Sequence, residues 1–216
     1  MVDEMKTKWF RPSPEFSFLI GSFLGDGWKV KIKNRKSGYD YRIRFAVTDR
    51  DFAQSFSEAA KLVLNKKEVK IHTRLRKGRK PIYSITVSSK VLFEFFNLPL
   101  TEILKVALIY PIHFLRGFFD AEGYVAIDKK KNRKRIRIGV SNSNLELLEV
   151  IREVLNNLGI ENRLETDTDR EGYKKVWKVV ISKKESLLKF KKIVNFTIKR
   201  KRKKLEKLRP FSGGRI

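Results

Sequence analysis

Four stretches of the chain alternate basic and apolar residues with a period of two. Lys29, Lys31 and Lys33 interleave with Val30 and Ile32. Arg42 and Arg44 interleave with Tyr41, Ile43 and Phe45. Lys70, His72, Arg74 and Arg76 oppose Ile71, Thr73 and Leu75, while Arg135 and Arg137 oppose Ile136, Ile138 and Val140. Successive side chains of a strand point to opposite faces, so the pattern predicts sheets with one apolar face under helices and one bare cationic face. Helical periodicity follows near 50–65 and 144–158. Thr48-Asp49 and Ser141-Asn142 stand before these helices as expected N-caps, with side-chain oxygens able to accept from exposed N–H groups.

The chain states this pattern twice. Residues 19–27 read LIGSFLGDG and residues 115–123 read LRGFFDAEG. Each is followed by a strand, a basic turn, a second strand, a cap and an amphipathic helix. The segments KIHTRLRKGRKPIYSITVSSK and IENRLETDTDREGYKKVWKVVISKK then each predict a hairpin and a short helix. The expected fold class is α+β, in two pseudo-symmetric α-β-β-α-β-β-α halves spanning 1–104 and 105–216. The junction falls near 97–112, with Pro111 opening the next helix.

Gly21 and Gly25 lie four apart on a helix, as do Gly117 and Ala121, so each pair forms a small-residue stripe that lets two helix backbones meet. Asp26 and Glu122 then end these helices, each before a glycine, Gly27 or Gly123, suited to a left-handed stop. A carboxylate at a helix C-terminus opposes the macrodipole. Two of them call for a cation, and an all-oxygen site suits a hard divalent one.

Charge narrows the partner. Lys and Arg number 50 against 24 Asp and Glu, a net charge of +26. An ion-pair-rich surface would carry both signs in balance, so the excess points to a polyanion, nucleic acid before membrane. No cysteine is present, which excludes disulfides, thiolate catalysis and Cys-ligated metals, and only His72 and His113 offer imidazole. No apolar run reaches membrane-spanning length. The first fifteen residues contain no secretory apolar core. The expected location is intracellular, in cytoplasm, nucleoid or organelle matrix.

The two nonapeptides and the units behind them resemble the two-motif, single-chain LAGLIDADG homing endonucleases over nearly the whole chain. The second motif is the closer match; the first has Phe23 and Leu24 where the nominal motif has Ile-Asp. The resemblance implies motif helices paired at the interface of the halves and sheets forming a DNA-binding saddle. It implies an enzyme, a metal-dependent endonuclease cutting both strands of a long, nearly asymmetric duplex site as a monomer and leaving 3′ overhangs. Asp26 and Glu122 would be the catalytic metal ligands, with Gly25 and Ala121 beside them, and Mg2+ the cofactor, replaceable for binding by Mn2+ or Ca2+. Lys199, within FTIKRKRK, and Lys105 are the matches for a basic residue near each scissile phosphate. Residues expected on DNA are Lys29, Lys31, Lys33, Arg35, Arg42, Arg44, Lys70, His72, Arg74, Arg76, Lys129, Lys131, Arg133, Arg135, Arg137 and Arg163. The alternatives are an RNA-binding intron maturase and a non-catalytic DNA-binding regulator on the same scaffold. The basic tail from Ile198 predicts a helix with Ile198, Leu205 and Leu208 inward.

Overall fold

The computed structural model describes residues 10–208 apart from 35–37, 131–132, 169–171 and 173. The chain runs α1 (Pro14–Asp26), β1 (Gly27–Asn34), β2 (Gly38–Val47), α2 (Arg50–Val63), β3 (Ile71–Arg76), β4 (Arg79–Ser88), α3 (Lys90–Phe95) and α4 (Leu100–Ala107). It then repeats as α5 (Pro111–Ala121), β5 (Gly123–Lys130), β6 (Arg133–Asn142), α6 (Leu145–Asn157), β7 (Arg163–Thr168), β8 (Val176–Ile181), α7 (Lys184–Ile193) and α8 (Lys199–Leu205). The strands form two antiparallel sheets, ordered β1-β2-β4-β3 and β5-β6-β8-β7. The fold is α+β and duplicated, and each repeat carries one helix beyond the α-β-β-α-β-β-α unit: α8, expected from the basic tail, and α4, which the sequence pattern did not predict. By packing, residues 1–121 form one compact unit and residues 122–216 another.

In the first unit α1 starts where Ser13 Oγ accepts from Phe16 N at 3.1 Å and Pro14 supplies a preset φ. Its residues from Phe16 to Phe23 are all buried, so the helix is enclosed on every side. Helix α5 lies against it, which is why the packing division falls after Ala121. A methyl on Gly21 would strike the Phe114 carbonyl oxygen and come within 2.9 Å of Phe118 N. One on Gly117 would strike Phe18 O and come within 2.9 Å of Ser22 N and Oγ. The glycines therefore seat the two helices backbone to backbone. Stacked and tilted rings fill the rest of this core: Phe45 on Phe56 at 4.0 Å, Phe16 on Phe95 at 4.9 Å and Phe23 on Phe96 at 3.7 Å.

The second unit has a mainly aliphatic core, with Ile138, Val140, Leu148, Ile151, Leu155, Val179 and Ile181 at or near zero exposure. Helix α8 closes it with Ile198 and Leu205 inward, and Leu208 is half-buried.

Three local expectations are corrected. Gly27 does not adopt a left-handed stop: at φ −92° and ψ 154° it passes straight into β1. What it supplies is room, since a Cβ there would strike Cδ2 of the Phe23 ring and come within 2.8 Å of Phe23 Cα. The cap of α6 is Asn144, whose side chain accepts from Leu147 N at 3.1 Å, while Ser141 and Asn142 still belong to β6. Asp49 stands at the N-cap of α2 but does not make the expected side-chain capping bond.

Candidate nucleic-acid interface and helix-end acids

Strand register decides which side chains share a face. In the first sheet Ile43 pairs with Lys29 and Val87, and Phe45 with Gly27 and Ile85. Ile43, Phe45, Ile85 and Val87 are buried, so this is the helix-covered face. Lys29, Lys31 and Lys33 therefore lie on the helix side, and Trp28, Val30 and Ile32 on the open side with Arg42 and Arg44. This reverses the expected placing of the β1 lysines. The reason is the turnless junction: Gly27 faces inward to admit the Phe23 ring, and every second residue follows it. Because β1 is an edge strand, the amines of Lys31 and Lys33 still reach solvent past the helix layer. Lys31 Nζ lies 4.1 Å from the Tyr39 ring centroid.

Arg42, Arg44, His72 and Arg74 stand on the open face of this sheet, in register with Ser88, Thr86, Ser84 and Ile82. Lys70 is exposed just before β3, and Arg76 lies beyond a bulge, half-buried. In the second sheet Val125 and Ile138 face inward, leaving Tyr124, Ala126, Asp128, Arg135 and Arg137 on the open side. Arg163 extends that face on the edge strand β7. Arg35 and Lys131 lie outside the described residues, as do the side chains of Lys129 and Arg133.

Neither face is uniformly basic, contrary to expectation. Asp40 and Asp128 sit on the open faces, each in an ion pair: Arg42 Nη2 to Asp40 at 2.6 Å and Arg137 Nη2 to Asp128 at 2.7 Å. Glu165 pairs with Arg163 and lies 3.6 Å from Lys178. Exposed aromatics stand on the same open faces, Trp28 at 44% and Tyr124 at 36% exposure, two residues past Asp26 and Glu122 respectively.

Asp26 is the last residue of α1, and Glu122 follows the last residue of α5. Both are half-buried, as are Gly25 and Ala121. Asn142 Nδ2 donates to Glu122 Oε1 at 3.4 Å, while its Oδ1 accepts from Asn144 N at 2.9 Å. The cap reading had hidden this contact to the acid. In the motif of α5, Asp120 is buried. Its charge opposes the lowering of the Arg116 pKa that burial produces. His113, also on α5, is pushed down by burial and by Arg116, with Glu15 acting the other way.

Lys29 has a different environment from its neighbours. Its Nζ donates to Phe96 O and to Asn97 Oδ1, both at 2.6 Å, at the C-terminal end of α3. Burial pulls its pKa below the ordinary lysine value. It lies on β1, three residues past Asp26. Lys105 is paired with Glu102 at 2.6 Å on the exposed side of α4, and Lys199 is exposed at the first turn of α8. In that helix Lys204 Nζ donates to Val125 O at 3.0 Å, tying α8 to β5.

Residues 13–98 and 110–195 each match the family model of the LAGLIDADG-like domain. The chain belongs to the LAGLIDADG family. Homing endonuclease I-DmoI of Desulfurococcus mucosus is 31% identical over 157 residues, covering 72% of this chain and 76% of that protein. An uncharacterised protein of Methanocaldococcus jannaschii is 36% identical over 217 residues, covering 94% of this chain and 75% of its own. Among solved structures, I-DmoI in complex with DNA and Ca superposes with a TM-score of 0.64 at 26% identity, covering 90% of this chain and 97% of that one. I-DmoI in complex with DNA and Mn gives 0.60 at 28%, covering 84% and 96%. The kinship is thus with the two-motif, single-chain homing endonucleases. Among the described residues no helix is long and apolar enough to cross a membrane.

Proposed function

We propose that this LAGLIDADG protein is a site-specific endonuclease that hydrolyses both strands of duplex DNA as a monomer, with Asp26 and Glu122 as its metal-binding acids, and that it is intron-encoded. The observation that carries the reading is the pairing of α1 and α5 through Gly21 and Gly117, each helix running directly into an acid and then into the first strand of an open-faced basic sheet. The relatives solved with DNA and with Mn or Ca support the partner and the use of a divalent ion.

The donors fit such an ion. Taken separately, each acid is a half-buried carboxylate at or just past a helix C-terminus, an oxygen donor suited to a hard divalent ion, and cysteine is absent from the chain. Mg2+ is the proposed ion; when bound it would stabilise the charged oxygens of the phosphodiester and activate water. The protein's own residues do the rest. Asn142 orients the Glu122 carboxylate. Lys29, three residues past Asp26 in sequence and held by Phe96 O and Asn97, takes the role that the resemblance implied for Lys105, which is engaged by Glu102. Lys199 supplies positive charge in the second half. The open-face arginines hold the duplex.

The test is cleavage of a randomised duplex library in Mg2+ by the wild type, Asp26→Asn and Glu122→Gln. The expected result is defined double-strand breaks by the wild type, and variants that bind duplex without completing them. A wild type that binds duplex tightly and cuts in neither Mg2+ nor Mn2+ would overturn the enzyme reading. It would favour the maturase alternative, which the exposed rings of Trp28 and Tyr124 also suit, because unpaired bases stack on such side chains.

A further inference from the structure

An acid on a DNA-facing surface needs a reason. It repels phosphate and cancels part of the counterion release that a basic residue brings. Asp40 and Asp128 both sit on open faces, and each holds one arginine. The two arginines occupy corresponding places. Arg42 pairs across the ladder with Val30, four residues past Asp26, and Arg137 with Ala126, four past Glu122. The acids come from different places in the repeat. Asp40 precedes Arg42 by two on the same strand, whereas Asp128 reaches Arg137 diagonally from the neighbouring strand. The same arrangement is thus reached by two local routes.

The remaining donors have a direction. Arg42 gives both Nε and Nη2 to Asp40 Oδ2, each at 2.6 Å. Arg137 gives Nη2 to Asp128, and its Nε is shielded from solvent without a partner among the described residues. In both, the Nε edge of the guanidinium is taken out of play, by the Asp40 carboxylate in Arg42 and by burial in Arg137, and the Nη1 end is left to a ligand. Such an end-on fork matches the O6 and N7 acceptors of guanine in the major groove. Fixing it beforehand removes the freedom a long side chain would otherwise lose on binding.

The geometry points to Arg42 and Arg137 as base-reading residues that each select a guanine, and to Asp40 and Asp128 as the positioning residues that aim them. This rests on the reading of the protein as a site-specific DNA-binding enzyme. Arg74, exposed on the same face as Arg42, serves as a phosphate-type control.

The experiment is selection by the full chain, in Ca2+, from duplexes with a randomised central segment, followed by sequencing and by the salt dependence of binding to the best-bound duplex. Wild type is compared with Asp40→Asn, Asp128→Asn, Arg42→Ala, Arg42→Lys, Arg137→Ala and Arg74→Ala. Arg42→Ala and Arg42→Lys are expected to flatten the same one or two adjacent positions, with about 5- to 150-fold loss of discrimination there. Arg42→Lys keeps the wild-type salt slope. Asp40→Asn flattens those positions too, and the Asp128 and Arg137 variants flatten a separate set. Arg74→Ala weakens all duplexes alike and lowers the slope by about one. If Asp40→Asn and Asp128→Asn instead bind every sequence more tightly with an unchanged preference profile, the acids merely screen charge and this inference falls while the nuclease reading stands. A wild type that binds duplex without any sequence preference overturns both.

Discussion

Replacing Gly21 or Gly117 by alanine tests the contact on which the motif helices depend. The added methyl would meet backbone on the opposite helix: Phe114 O, Phe114 C at 3.1 Å and Phe118 N at 2.9 Å for Gly21, and Phe18 O and Ser22 N for Gly117. Backbone cannot rotate away, so α1 and α5 must separate, and the overpacking cost falls near the upper end of its usual range, about 3 kcal/mol. Alanine returns about 1 kcal/mol through its helix propensity. The net destabilisation is about 2 kcal/mol per variant, or a fall in Tm of about 4–8 °C for a protein of this length. Because one separation accommodates both methyls, the double variant should lose less than the sum, about 2–3 kcal/mol. Denaturant and thermal unfolding measure this, with Gln54→Ala on the exposed side of α2 as a bystander expected within about 0.5 kcal/mol of wild type. A Gly21→Ala protein as stable as wild type, or more so, would refute the argument, because propensity alone would then be acting and the backbones would not be in contact.

Asn142→Ala removes the donor to Glu122, and at 3.4 Å the bond is long, so Mg2+-dependent cleavage should fall by about tenfold, the low end for residues that orient metal ligands, with duplex binding in Ca2+ unchanged. Lys29 carries a lowered pKa because of burial, so the unfolded chain binds its proton more tightly than the folded one. Stability should therefore rise with pH between the folded pKa and the ordinary value of 10.5, and Lys29→Met should abolish that rise in denaturant titrations at a series of alkaline pH values. Lys105→Ala breaks only an exposed pair with Glu102, and both stability, within about 0.5 kcal/mol, and cleavage rate should be close to wild type. A large loss of cleavage would instead return Lys105 to the active site.

What the sequence determined by itself was local and repeated. Period-two alternation marked the strands, and two nonapeptides in register with the same downstream pattern marked the duplication. Glycines four apart marked helices able to touch, with acids at their ends. These features survive any packing because they follow from backbone geometry within one element. Alternation also says which residues of a strand share a face, but not which face is covered. In β1 both rows are amphipathic: the lysines have apolar stems, and their alternates are Trp28, Val30 and Ile32. Hydropathy turned Val30 and Ile32 inward. The ladder with β2 turns them outward, because Gly27 must face the Phe23 ring and Phe45 must face the core. The same holds for the site. Asn142 reads as a helix cap until the structure extends β6 through it and brings it to Glu122. Asp128 reads as one acid in a basic turn until strand pairing sets it diagonally from Arg137. Contacts across a ladder join residues distant in sequence, and only register, which the tertiary structure fixes, brings them together.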